Sequence, residues 1–419
     1  MTGRDAPREA WLGATLGVLA TTLRDAGVPL ILRRGDPREE VPRFAHEAGA
    51  DGVYWSDDFT PYARSRDTAV AAACATLGVE TRGFPGTVLV EPDALRTSTG
   101  GFYTVFGAFH RAWTAMPAAP PLTAPAPITP GPPLAGERVP PASVEASPEA
   151  ARAALERFAR GPLAAYERDR DRVDLAGTSH LSAHLRVGAI SPREVRQLVQ
   201  RAAVRDARLR RAADAFVRQL AWRDFFVHVL WHAPESRRRA LRADRRDVAW
   251  RHDPAGLAAW QEGRTGYPLV DAGMRELAST GFMHNRARLV AASFLTKHLL
   301  VDWREGERWF MRCLRDGDPA VNSGNWQWVA STGADALPAF RIFNPTVQGR
   351  RFDPGGVYVR RFVPELAAVP DAHVHEPWVV GGVTGYPAPI VEHRQARRRA
   401  LLVLDATRGS GAGAPSDEA

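Results

Sequence analysis

Two cysteines, Cys74 and Cys313, are all that the 419 residues hold. So few exclude a disulfide framework and any four-cysteine zinc or iron–sulfur site, and they suit a reducing cytoplasm. Lysine is scarcer still. Lys297 is the only one among 55 basic residues, a skew to arginine that points to a G+C-rich genome before it points to a binding surface. No apolar run approaches the ~20 residues that cross a bilayer. The first residues lack the charged, apolar and small segments of a secretory signal, so the expectation is a chain neither inserted nor exported. No G-x-G-x-x-G opens a helix in the first 90 residues, which argues against a nicotinamide site there. There is no internal repeat.

What is present is size and positive charge. With 45% hydrophobic and 24% charged residues, the chain can bury two separate cores. Its net charge of +8 favours polyanions, although charge alone leaves DNA binding undecided.

Residues 8–90 alternate helical and strand-like patterns. Helices are expected near Trp11–Asp25, Glu39–Ala48 and Ala63–Leu77, with strand-like V-P-L-I-L at 28–32, Gly52-Val-Tyr-Trp and Val79–Phe84. Such alternation predicts a parallel sheet with helices on its faces, so residues 1–115 form an α/β domain. Residues 116–148 are dense in proline and alanine, with pairs at Pro120-Pro121, Pro132-Pro133 and Pro140-Pro141, and read as an extended interdomain linker. Residues 149–405 follow helical periods with proline-led caps such as Ser191-Pro192, and predict an all-helical domain. The last stretch, 406–419, is small and polar and reads as a disordered tail.

Nine of the twelve tryptophans fall in the helical part, four of them between Trp303 and Trp328 (Trp303, Trp309, Trp326 and Trp328). A single tryptophan is usually core; four in so short a span suggest redox relays or stacking platforms. The same segment carries Asp316-Gly317-Asp318, which alone reads as an acidic turn, and Asn322. Twelve residues after Tyr166 comes Thr178-Ser179-His180-Leu181-Ser182. Hydroxyls entering a helix suit a diphosphate, or simply a cap. The R-R-R-A-L-R-A-D-R-R run at 237–246 reads as a solvated helix face rather than a DNA patch.

The W-R-E-G-E-R-W-F-M-R-C-L-R-D-G-D-P-A-V-N-S-G-N-W-Q-W segment, taken with H-N-R-A-R at 284–288, T-G-Y-P-L-V-D-A-G-M-R at 265–275 and F-R-I-F-N-P at 340–345, resembles the DNA photolyase and cryptochrome family. The likeness covers about residues 10–400 and is strongest to class I cyclobutane pyrimidine dimer photolyases. It implies a Rossmann-like α/β domain followed by a larger all-α domain that binds FAD, in a monomer acting on DNA that contains pyrimidine dimers. In that family Trp326, Trp303 and Trp250 would pass an electron from the surface to the flavin, and Trp222 and Trp328 would stack an extruded dimer. Arg288 and Asp316 would pair beside the flavin ring, and Asn322 would face its N5. Gly317, Asp318, Phe216, Gln219, Arg223 and Phe226 would line the flavin site, with Tyr166, Thr178, Ser179, His180, Leu181 and Ser182 cradling the phosphates.

Several positions depart from the family pattern. His180 stands where an arginine is frequent. Gln219 stands where many members have a glutamate that bonds the dimer; an amide keeps the hydrogen bonds but supplies neither proton nor charge, which predicts reduced efficiency. Leu289 replaces a methionine and should keep an apolar wall. His284 is followed by Asn285, so the histidine pair of 6-4 photolyases is missing. Asn285 and Arg286 would touch the lesion strand, Gln348 would contact DNA, and Arg341 is a candidate by proximity. Such phosphate contacts position a duplex without reading its sequence. The strand–helix–strand unit with W-F-R-x-D-L-R that opens relatives has no counterpart before Trp11, so an incomplete sheet with exposed edges is expected. That leaves an antenna chromophore, folate or deazaflavin, open. The implied reaction is carbon–carbon lysis: excited reduced FAD sends an electron to a flipped dimer, the ring splits, and the electron returns. The rival reading is a cryptochrome-like photoreceptor, which Gln219 favours and the short tail after Ala400 opposes; a third is a truncated, inactive product.

Overall fold

A computed structural model describes residues 6–117, 119–122, 129 and 131–409. The N-terminal part runs α1 (Ala6–Asp25), α2 (Pro37–Glu47), β1 (Gly52–Ser56), α3 (Pro61–Thr76), β2 (Glu80–Phe84) and α4 (Phe106–Ala115). After α5 (Pro148–Arg160) the chain is helical: α6 (Tyr166–Asp169), α7 (Ser182–Val187), α8 (Pro192–Arg205), α9 (Arg210–His232), α10 (Pro254–Gln261), α11 (Pro268–Thr280), α12 (Asn285–Ser293), α13 (Trp303–Cys313), α14 (Pro319–Ala330), α15 (Pro345–Phe352), α16 (Val357–Phe362) and α17 (His393–Gly409). An α/β region thus precedes a larger all-α one, as the sequence implies.

One local device recurs. Asp36-Pro37, Thr60-Pro61, Ser147-Pro148, Ser191-Pro192, Asp253-Pro254, Asp318-Pro319 and Asn344-Pro345 each open a helix, the polar side chain accepting a hydrogen bond from a first-turn N–H. Proline fits there because its missing donor would be unpaired anyway, and its fixed φ is already helical.

Strands β1 and β2 pair in parallel, Gly52 opposite Glu80, with α3 as the crossover. Val53 and Trp55 pack on Ala45, Val70 and Cys74 beneath α2 and α3, while Tyr54 and Phe84 stay exposed on the other face. The predicted strand at 28–32 forms no ladder. Pro29 removes a donor from it, and Leu32 makes only an isolated antiparallel bridge to Glu137. The described end of the proline-rich stretch packs on the N-terminal region: a Cβ on Gly17 of α1 would lie 2.5 Å from the Ala142 nitrogen, so only glycine permits the approach. Helix α17 continues past residue 405 to Gly409, and the rest of the expected tail, 410–419, lies outside the described residues.

The N-terminal region and the helical body share one core. Phe106, Phe109 and Trp113 of α4 pack among Phe158, Phe216 and Phe225. Asp224, buried on α9, ties them with polar bonds, accepting from Leu89 N at 2.9 Å, Val90 N at 3.3 Å and Trp113 Nε1 at 3.0 Å. A second core gathers Trp260, Phe294, Trp303, Phe310 and Trp326.

The arginine run at 237–246 keeps Arg238, Arg239 and Arg242 exposed but makes no helix face. It forms two 3-10 turns, Pro234–Arg237 and Ala243–Arg245. Arg237 turns inward to Glu307 at 2.8 Å, and Arg245 is buried with Nη1 donating to Leu404 O.

Candidate active site

Helices α7, α9, α12 and α14 enclose a cavity of about 280 Å3 that continues into a wider mouth of about 440 Å3. Helix α9 supplies Phe216, Gln219 and Arg223 to the inner part and Trp222 and Phe226 to the mouth. Helix α12 supplies Asn285, Arg288 and Leu289. Tyr166, Ser179, Leu181 and Ser182 close one side, and Thr178, His180 and Arg286 line the mouth. Asp316, Gly317, Asp318, Asn322 and Trp326 form the inner wall. Trp250, Trp303, Arg341 and Gln348 do not line it.

Arg288 bonds Asp316 Oδ2 at 2.8 Å and Met283 O at 2.8 Å, which fixes the fork. Asp316 Oδ1 is buried with no partner, an open acceptor at the cavity wall. Asp318 has a different duty. Its Oδ1 caps α14 through Ala320 N at 2.9 Å and Val321 N at 3.0 Å, and its Oδ2 faces Arg186 Nε at 3.6 Å. The acidic turn and the site are one feature.

Asn322 donates both amide hydrogens to Glu307, to its backbone O at 2.9 Å and to Oε1 at 3.1 Å. The amide Oδ1 is thereby left as the acceptor turned away from Glu307. Burial pushes the Glu307 carboxyl up, opposed by the Arg237 guanidinium and the Asn322 hydrogen bond. Sequence reasoning missed Glu307. Its signal was an acid one turn after Trp303 on the same helix face, in a segment read for its tryptophans.

Trp326 stands edge-on to Phe310 (5.0 Å, 74°) and to Trp260 (6.0 Å, 73°). A Cβ on Gly306 would lie 2.1 Å from its ring, so α13 needs glycine there. Trp303 is buried beneath the Arg304 guanidinium at 4.9 Å, and Trp250 is half-buried at the edge of the same core. At the mouth Trp222 stacks flat on Phe106 (3.7 Å, 6°) and stands perpendicular to Trp328 (6.4 Å, 79°). The two indoles make a corner, and Trp328 Nε1 is buried without a partner.

Polar groups around the mouth are held neutral or pre-oriented. Burial pushes the Tyr166 hydroxyl up to about 12 and the His284 imidazole down to about 4. His284 Nδ1 accepts the Arg286 N–H at 3.1 Å and so caps α12. His180 adopts a φ of 53° and lies 4.9 Å from the Phe282 ring. Arg286 pairs with Asp171 at 2.7 Å. Among the described residues Gln219 bonds only the Ala215 carbonyl of its own helix, at 3.5 Å.

Two family models match: DNA photolyase over residues 3–127 and the FAD binding domain of DNA photolyase over residues 216–406. The deoxyribodipyrimidine photo-lyase of Escherichia coli (strain K12) is 41% identical over 96% of this chain and 89% of its own length. That of Halobacterium salinarum is 40% identical over the same shares. This chain belongs to the DNA photolyase family. Among solved structures, a class III photolyase from Agrobacterium tumefaciens superposes with a TM-score of 0.84 at 37% identity, covering 98% of this chain and 90% of that one. A cryptochrome from Synechocystis sp. PCC6803 gives 0.85 at 29% identity, covering 94% and 88%. The family assignment made from the tryptophan-rich segment and H-N-R-A-R therefore stands. The photolyase-type helical region binds FAD, and the residues fit that group: an orphaned Asp316 oxygen and the Asn322 oxygen turned from Glu307 are acceptors that could take N–H groups of a flavin edge, with Arg288 beside them. Among the described residues no helix is long and apolar enough to cross a membrane, and no cluster of side chains could hold a metal ion.

Proposed function

We propose that this chain is a light-driven repair enzyme that splits cyclobutane pyrimidine dimers in DNA. The observation that carries the reading is the corner of Trp222 and Trp328, which opens onto a cavity running inward to Asp316 and Asn322. A flipped dimer is two linked bases, and two perpendicular aromatic walls suit its two planes. Reduced FAD, when bound and excited by light, supplies the electron that opens the ring and takes it back.

The chain's own residues prepare that exchange. Tyr166, Thr178, Ser179 and Ser182 would hold the phosphates at the start of α7, where N–H groups are unpaired. Arg288 offsets negative charge at the ring edge while Asp316 keeps the arginine in place. Asn322, locked by Glu307, presents a carbonyl oxygen that would accept a hydrogen bond from an N–H of the ring and delivers no proton of its own. Leu289, Phe226 and the indoles give the mouth an apolar side against which a flipped base could pack. Gln219 lines both compartments and can hydrogen-bond the dimer. Trp326, Trp303 and Trp250 would carry an electron inward to restore the reduced cofactor.

The test is blue-light repair of a duplex carrying one thymine dimer by FAD-loaded, chemically reduced protein, against a dark control. Loss of the dimer in light alone supports the proposal. A second reading, a cryptochrome-like photoreceptor, is favoured by the amide at Gln219 and by the likeness to the Synechocystis cryptochrome. Normal flavin binding with no dimer loss would turn the conclusion to it.

A further inference from the structure

Arg286 lies at the mouth of the cavity with its guanidinium already engaged. It sits 2.7 Å from the Asp171 carboxylate, and its Cζ is 4.3 Å above the Phe352 ring. Its Nε is buried without a hydrogen-bond partner. Only 16% of the Arg286 side chain is exposed, whereas Asp171 retains 30%. Both residues line the mouth together with Trp222 and Trp328.

Each contact constrains what the arginine can do. The stack on Phe352 fixes the plane of the fork, so little side-chain entropy remains to be lost when an oxyanion arrives. The carboxylate neutralises the charge in the free protein. A phosphate that takes the fork must displace Asp171, and the carboxylate then needs water. Its partial exposure allows hydration; a fully buried carboxylate would be left stranded without its partner.

We propose that Asp171 is the counter-ion which Arg286 exchanges for a phosphate of the damaged strand, so that Asp171 restrains the affinity of the mouth for DNA and hastens release. The inference rests on the repair function proposed above. It also predicts a salt signature. An arginine that newly neutralises a phosphate releases condensed counterions and adds ~0.9 to the slope of log K against log salt. In the exchange the freed carboxylate takes up compensating cation, and the contact adds much less. Removing that carboxylate restores the full increment.

The experiment follows anisotropy of the FAD-loaded full chain in the dark on a duplex with one thymine dimer and on its undamaged copy, from about 50 to about 200 mM salt. Asp171→Asn should bind the dimer duplex roughly five-fold tighter, the size of a part-exposed ion pair, and release it more slowly. Its salt slope should steepen by up to ~0.9. The gain should vanish when Arg286→Gln is added, and Asp171→Glu should keep the parent's values. Weaker binding by Asp171→Asn would overturn the inference, because Asp171 would then merely position Arg286. A gain that survives Arg286→Gln would also overturn it, because Asp171 would then act as a plain repulsive charge. A parent protein that does not prefer the dimer duplex would defeat the repair reading first, before any variant is compared.

Discussion

Replacing Lys297 by methionine should change how stability depends on pH, by an amount the structure sets. The Lys297 ammonium is fully buried and donates to Ser331 Oγ at 2.7 Å and Ala330 O at 3.4 Å, closing the C-terminal end of α14. Neither partner is a carboxylate, and burial, with Arg245 nearby, pushes it down to about 7 from an ordinary value of 10.5. Between those two values the unfolded chain holds a proton that the folded chain has shed. Raising the pH through that window therefore stabilises the parent relative to Lys297→Met, which has no such proton. Integrating the linkage for one group from pH 7 to pH 9 gives about 2 kcal/mol in the parent's favour. Urea unfolding of both proteins at the two pH values, followed by tryptophan fluorescence, measures it. A difference between the two proteins that stays constant to within about 0.5 kcal/mol would refute the reasoning. Lys297 would then remain charged inside the fold.

Three further outcomes are expected. Trp326→Phe should abolish light-driven reduction of bound flavin yet leave repair by chemically reduced protein intact; normal photoreduction would remove Trp326 from the relay. Gln219→Glu should raise repair per absorbed photon with unchanged FAD retention, read from dimer loss under calibrated light, and no rise would free the glutamine of blame. Gly306→Ala should drive a methyl into Trp326 and destabilise the protein by about 2 kcal/mol, lowering its melting temperature by several degrees. An unchanged melting curve would show that the Trp326 ring shifts freely.

Much of the site could be read from the sequence because its residues cluster on a few helices. Trp222 and Gln219 share one turn of α9, Asn285 to Leu289 open α12, and Asp316 to Trp328 run from a cap into α14. Proline after a capping side chain marked the start of α8 at Ser191-Pro192, whereas α2 and α3 begin at Pro37 and Pro61, two residues before the expected starts, where the same signal went unread. What sequence could not supply were partners far apart in the chain: Glu307 beneath Asn322, Asp171 against Arg286, and Asp224 reaching Leu89 and Trp113. The segment 28–32 had the apolar look of a strand, but a strand needs neighbours, and its donors were broken by Pro29. The arginine run was misread as a helix face: Arg238, Arg239 and Arg242 do stay exposed, but Arg237 pairs with Glu307 and Arg245 is buried against the α17 carbonyl of Leu404.

The flat stack of Phe106 on Trp222 bears on how this protein could be re-engineered. Phe106 belongs to α4, before the proline-rich stretch, and Trp222 belongs to the cavity. Exchanging the N-terminal region for that of a relative would thus alter the backing of the indole proposed above to stack a base. Chimeras joined within the proline-rich stretch should inherit their lesion preference from both parents, and a graft that ignores the aromatic at 106 should lose substrate before it loses flavin.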